Sequence, residues 1–173
     1  WGTITALHDM PEKSQGTKDS DVLLKQLGGI LGQAQTDLLI VSPYFVPGKP
    51  GTGALVAAVQ RGARVRIVTN SLASTDVGAV HAGYKKSRRK LLEGGVQLFE
   101  LKPTVDADSK AAAKLSFSGS SAASLHAKTF MIDRQRVFIG SMNLDPRSVQ
   151  INTEIGILID NPELARHLED HIA

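Results

Sequence analysis

The sequence contains no cysteine. That excludes a disulfide framework and thiolate chemistry, and it leaves the cellular compartment open. No apolar run approaches the ~20 residues that a bilayer-crossing helix needs, and nothing resembles a signal peptide. Charge of one sign is not concentrated either: 20 Lys and Arg against 17 Asp and Glu leave a net charge of +3, with an isoelectric point near 9.3. This mild basicity suits phosphate esters, nucleic acid or a lipid surface without selecting among them. No Cys cluster and no Asp/Glu/His set at ligand spacing is present, so no metal and no other cofactor is expected. Internal repeats, linkers and low-complexity tracts are missing as well.

What remains is ordinary globular material. The 173 residues are 42% hydrophobic and 21% charged, enough for one domain with a full core. The chain opens at Trp1 and stops within NPELARHLEDHIA, which reads as a helix under way. We expect an excerpt of a longer chain, with residues 1–173 as a single domain.

Periodicity assigns the elements. In DVLLKQLGGILGQAQ (21–35), Val22, Leu23, Leu27, Ile30 and Leu31 share a helical face. TDLLIVSPYF (36–45) is a buried strand closed by Ser-Pro. GTGALVAAVQRGA (51–63) follows as a helix with Thr52 as N-cap, then RVRIVTN (64–70) as a strand. A helix over 75–92, a strand over 96–101 and a polar loop over 102–121 come next. Two apolar strands around DRQR (133–136) then form a hairpin, and a strand over 153–160 and a helix from Pro162 complete the order. Alternating strands and helices predict an α/β fold, a parallel or mixed central sheet with helices on both faces.

The hairpin strands carry the chemistry. In SLHAKTFMIDRQRVFIGSMN (124–143), His126 and Lys128 lie two apart, as do Ser141 and Asn143. Period-two alternation turns each pair to one face, so four polar groups can converge if the strands pair. Imidazole serves as nucleophile or proton carrier near neutral pH, while an ammonium and an amide NH2 donate to oxygen. That combination suits a phosphate group. Asp133 falls at the hairpin turn, where Asp supports local backbone.

The full string His126-x-Lys128, Asp133, Gly140-Ser141-x-Asn143 resembles the HKD signature of the phospholipase D superfamily at every specified position. SPYFVPG (42–48), the 69–101 stretch and DPRSVQINTEIGILI (145–159) further resemble the C-terminal half of bacterial cardiolipin synthases of the C type. The resemblance covers nearly the whole chain. It implies a phospholipase D-like α/β/α sandwich with a mixed central sheet, and two such halves, each with one motif, face each other. This chain has one motif, since no other His has a Lys two residues on.

By that resemblance, the activity is metal-independent phosphatidyl transfer through a phosphohistidine. His126 would be general acid then base, or the nucleophile in a symmetric dimer. Lys128 and Asn143 would hold phosphate oxygens, with Ser141 assisting. Glu154, opening the 153–160 strand, would accept a hydrogen bond from His126, and Asp133 would be mainly structural. His81, Tyr84 and Arg88 form a helical stripe that could line a headgroup entrance or pack at the helix border. Val77, Val80 and Leu91 lie on its buried flank, and Lys85, Lys86, Arg89 and Lys90 point outward. Tyr44 and Asn70 end strands at the ligand-binding edge and are possible substrate contacts.

The implied substrates are a phosphatidylglycerol-like donor and a phospholipid acceptor. The implied partner is an upstream first half or a symmetric copy, at the periphery of a bacterial inner membrane, with nucleic acid disfavoured. An isolated monomer is expected to be inactive. Two other readings stay open: a phospholipase D-like phosphodiesterase or nuclease acting as a symmetric dimer, and a lipid- or phosphate-binding module without turnover.

Overall fold

The computed structural model describes residues 2–17, 20–75, 77–101 and 124–172. The loop expected over 102–121 lies outside the described residues. Seven strands form one sheet, β1 (Thr3–His8), β2 (Asp37–Val41), β3 (Arg64–Asn70), β4 (Gln97–Leu101), β5 (Thr129–Ile132), β6 (Arg136–Gly140) and β7 (Ile155–Asp160). Its spatial order is β1-β7-β6-β5-β2-β3-β4. β2, β3 and β4 run parallel, whereas every contact on the β5 side of β2 is antiparallel. The sheet is therefore mixed, one of the two arrangements that the alternation of elements allowed.

Each strand sends alternate residues to opposite faces. Leu38, Ile40, Ile67, Phe130 and Phe138 pack under α1 (Val22–Gly32), α2 (Gly48–Gln60) and α3 (Gly78–Glu93). The short α4 (Pro146–Gln150) adds Val149 to the same layer. Leu39, Val41, Met131 and Val137 pack beneath α5 (Pro162–Ile172) on the other face. The all-buried DLLIV of β2 is apolar on both faces for that reason. None of the described helices is long and apolar enough to cross a membrane.

Three element boundaries differ from expectation. β2 stops at Val41, because Ser42 to Val46 turns away to meet Leu144. α2 starts at Gly48, its Pro50 tolerated in the first turn, so Thr52 is not an N-cap. The Thr52 hydroxyl instead donates to the Gly48 carbonyl one turn back, at 2.6 Å. α3 begins at Gly78, and Val77 is an exposed N-cap rather than part of a buried flank.

The end of the sheet remote from His126, Lys128, Ser141 and Asn143 is pinned by one carboxylate. Asp133 and Arg134 turn the β5–β6 hairpin with φ of 53° and 55°, the left-handed pair that a tight two-residue turn needs. The Asp133 carboxylate accepts the backbone N–H of Gln35, Thr36 and Asp37 and the Thr36 hydroxyl, at 2.8–3.2 Å. Burial alone would raise its pKa; the amides of Asp37, Thr36 and Gln35 reverse that and hold it below the usual range. Nearby, Asp37 and Glu169 bind Arg64, Arg66 and Arg134, fastening α5 to the sheet.

Because the Asp133 pKa is depressed on folding, its contribution is complete above the unfolded value of about 4 and is lost as pH falls through the folded value. Asp133→Ala should cost on the order of 2–3 kcal/mol at neutral pH. The deficit relative to wild type should shrink toward acid pH. Urea unfolding at two pH values checks both.

Candidate active site

The polar pairs sit at the opposite end of the sheet. β5 begins at Thr129, so His126 and Lys128 precede the strand, and Ser141 and Asn143 lie just past the end of β6. The ladder ends with the Gly140 N–H donating to the Lys128 carbonyl at 3.1 Å. A fully buried strand could not hold these groups, and the sheet edge can. The chain after β2 closes this edge: Phe45 bridges Leu144, and the Val46 N–H donates to the Leu144 carbonyl at 2.6 Å. Tyr44 and the 141–144 segment are thereby held together. The Ser42 hydroxyl donates to the Tyr44 carbonyl and accepts the Leu144 N–H.

Lys128 is half-buried, and its ammonium donates to the His126 carbonyl at 2.8 Å. Desolvation pushes its pKa down, while the carboxylates of Glu154 and Asp145 act in the opposite direction. Lysine and both acids therefore share one electrostatic neighbourhood. Asn143 is buried, its N–H donates to the Ser148 hydroxyl at 3.3 Å, and its Oδ1 is buried with no partner. An unsatisfied buried amide costs stability unless something else uses it. His126 is exposed.

Glu154 is buried but binds a different group from the one expected. Its carboxylate accepts the Ser141 hydroxyl at 2.5 Å, and no hydrogen bond joins it to the His126 ring. The reason is local register: Ser141 N–H donates to the Ile155 carbonyl, and Ile155 N–H donates back to the Ser141 hydroxyl. That exchange seats Ser141 directly against the start of β7.

Asn70 also departs from its expected role. Buried at the end of β3, its amide NH2 donates to the Leu125 carbonyl at 3.2 Å and its Oδ1 accepts the Leu125 N–H at 2.9 Å. The side chain completes a two-bond ladder with the residue before His126, so it holds the backbone that leads into His126. Tyr84 is buried on α3 against Phe45, its hydroxyl donating to Glu100, which also pairs with Arg88. Burial and the Glu100 carboxylate raise the Tyr84 pKa. The stripe is thus a packing border at Tyr84 and Arg88. His81 stacks edge-on to Tyr84 and keeps a buried Nδ1 without a partner.

Sequence reasoning missed the support beneath the site. Asp9 and Lys13 form a buried ion pair at 2.6 Å; Asp9 also accepts the N–H of Leu23 and Glu154, and Lys13 donates to the Ser148 carbonyl. Asp145 caps α4 through the N–H of Arg147 and Ser148. The Asp145-Pro146 start of α4 was a readable cap signal; the four-residue spacing of Asp9 and Lys13 was indistinguishable from a surface pair.

A seven-stranded mixed sheet with this polar edge defines a phospholipase D-like fold. The family described as "Cardiolipin synthase, PLD-like domain" matches residues 27–173, and the chain belongs to it. Cardiolipin synthase C of Escherichia coli K12 is 45% identical over 170 residues, covering 98% of this chain and 36% of that protein. The chain spans about a third of the length of the curated relatives it matches. Among solved structures, the phospholipase D family member Nuc from Salmonella typhimurium superposes with a TM-score of 0.68 at 19% identity, over 99% of this chain and 91% of its own. Phosphatidylserine synthase of Haemophilus influenzae gives 0.68 at 18% identity, over 98% and 37%. At those identities the superpositions bear on the fold alone.

Removing the Asn70 clamp should free the segment that carries His126. Asn70→Ala is expected to speed hydrogen exchange at the Leu125 amide by about tenfold, the worth of one ordinary hydrogen bond. Asn70→Asp, which keeps the acceptor, should preserve more of that protection. NMR-detected exchange reads both.

Proposed function

We propose that this chain is one half of a phosphatidyltransferase of cardiolipin-synthase type. The observation that carries the reading is the unpartnered Oδ1 of buried Asn143 beside partly desolvated Lys128, at the edge that also presents His126. Side-chain amides exchange O and NH2 by rotation, so Asn143 can offer a donor where a phosphate oxygen arrives. The 45% identity to cardiolipin synthase C supports a phospholipid as the carrier of that phosphate.

The chemistry requires two imidazoles. One nitrogen attacks phosphorus, forming a P–N bond as the P–O bond to the leaving alcohol breaks, and the second imidazole gives that oxygen its proton. The acceptor hydroxyl then attacks phosphorus, the P–N bond breaks, and the second imidazole takes the proton. Lys128 and Asn143 hold the non-bridging oxygens throughout, and Glu154 fixes the Ser141 hydroxyl beside them. His126 supplies one imidazole, and the other comes from a first half or a second copy. Apolar surface fit for such a partner adjoins the site: Ile139, Ile155 and Ile157 are 43%, 60% and 38% exposed on neighbouring strands next to Ser141.

His126→Ala in the full protein should lower phosphatidyl transfer by roughly 10³-fold or more. The donor arm uses radiolabelled phosphatidylglycerol with and without acceptor lipid; label released only to water would replace transfer by hydrolysis. Sedimentation and turnover on one sample of the isolated chain should show either an inactive monomer or an active dimer, and sustained transfer by a monomer would overturn the two-half reading. Inorganic phosphate binding should weaken with rising pH before an ordinary lysine would lose its proton, because burial lowers the Lys128 pKa. Lys128→Arg should move that loss upward.

A further inference from the structure

Two grooves flank the start of α2. The first, between α1, α2 and α4, is a cavity of about 390 Å³ lined by Leu24, Leu31, Leu38, Ile40, Leu55 and Val149, with Val46 and Leu144 at the side nearest the candidate site. Its lining is nearly all apolar, and its size is in the range of small-molecule pockets (~300–1,000 Å³). Gly28 and Gly32 of α1 line it, yet a Cβ at either would meet nothing within 4 Å. A glycine inside a helix costs ~1 kcal/mol against alanine, and here no close packing explains it.

The second groove, about 650 Å³, lies between α2 and α3 and shares Val46 and Gly48 with the first. Close approaches border it: a Cβ on Gly83 of α3 would fall 2.8 Å from Val46, just before α2, and one on Gly94, just past α3, 2.4 Å from Val56 of α2. Between those contacts Lys49, Lys86 and Lys90 face the opening, with Thr52 and Ser87. Among the described residues no carboxylate pairs with these lysines, whereas Arg88 and Arg89 are taken by Glu100 and Glu93. Lys49 moreover sits in the first turn of α2, where the helix dipole disfavours a cation and favours an anion. An apolar groove and an unneutralised cationic groove thus share one wall.

We propose that an anionic phospholipid seats across α2, its acyl chain in the apolar groove and its headgroup among Lys49, Lys86 and Lys90. This rests on the lipid-transfer reading and adds to it a docking surface distinct from the His126 edge. The ligand is singled out by the pairing: a free phosphate would need only the lysines, and a neutral lipid only the apolar side. The occupied surface would hold the protein against an anionic leaflet, with Val46 and Gly48, shared by both grooves, beneath the lipid.

The test is binding by the chain to phosphatidylglycerol vesicles, with phosphatidylcholine vesicles as reference, and to dioctanoyl-phosphatidylglycerol against glycerophosphoglycerol. Replacing Lys49, Lys86 and Lys90 together by Gln should weaken phosphatidylglycerol vesicle binding on the order of 100-fold, three near-surface charges acting together. Gly28→Leu and, separately, Ala54→Leu fill the apolar groove; each should cut dioctanoyl-phosphatidylglycerol binding at least tenfold with melting temperature unchanged or raised. Vesicle binding indifferent to the lysine variant, or short-chain binding intact in both filled variants, would overturn the proposal. So would filled variants that lose only self-association in sedimentation, which would make the groove a subunit contact. Lipid binding without His126-dependent transfer would sink the catalytic reading alone; transfer without groove-dependent binding would sink this one alone.

Discussion

The buried Asp9–Lys13 pair is the contact on which the edge bearing Ser141, Asn143 and Glu154 depends. One carboxylate gathers the start of α1 through Leu23 and the start of β7 through Glu154, while its lysine reaches the Ser148 carbonyl of α4. Ser148 in turn receives the Asn143 N–H. Glu154 and Asn143, on separate segments, thus take their places from one ion pair. Removing either partner would leave a buried charge alone, a loss of ~3–5 kcal/mol. An apolar substitute could restore packing but would have no means of holding the Glu154 N–H.

The two ends of the sheet divide the work. At the hairpin end, Asp133, Asp37 and Glu169 are saturated by amides, hydroxyls and guanidinium groups, so charge there serves cohesion. At the other end Lys128 is partly desolvated and the Oδ1 of Asn143 is buried without a partner, which costs stability. A fold can carry such a cost when the rest of its polar groups are well matched.

Much of this was readable from the residues. The helical and strand periods located β2 to β7 and the four longer helices, though not all their bounds, because apolar spacing reports burial directly; they did not locate β1 or α4. The polar pairs were legible because period-two His-x-Lys and Ser-x-Asn break that pattern. The role of Asp133 followed from its turn position. Partner choice was not legible: whether Glu154 meets Ser141 or His126, and whether Asn70 meets ligand or the Leu125 backbone, is decided by register between segments distant in the chain. Asp9 and Lys13 were silent for the same reason, since spacing alone cannot show that both are buried. Tyr84 was read as lining an entrance or packing at the helix border, and spacing could not show that Glu100 on β4 takes its hydroxyl.

The pairing of β1 with β7 has a kinetic meaning. Thr3 lies opposite Asp160 and His8 opposite Ile155, so β1 must wait for β7, whose residues come far later in the chain. During synthesis β2, β3 and β4 can assemble with their crossover helices while β1 has no neighbour. Closing so long a loop is entropically slow, and such non-local pairing delays folding. Glu154 and Ser141 meet through β7, so the edge they form takes shape only after the parallel strands. A nascent chain would therefore own β2, β3 and β4 well before Ser141 could meet Glu154.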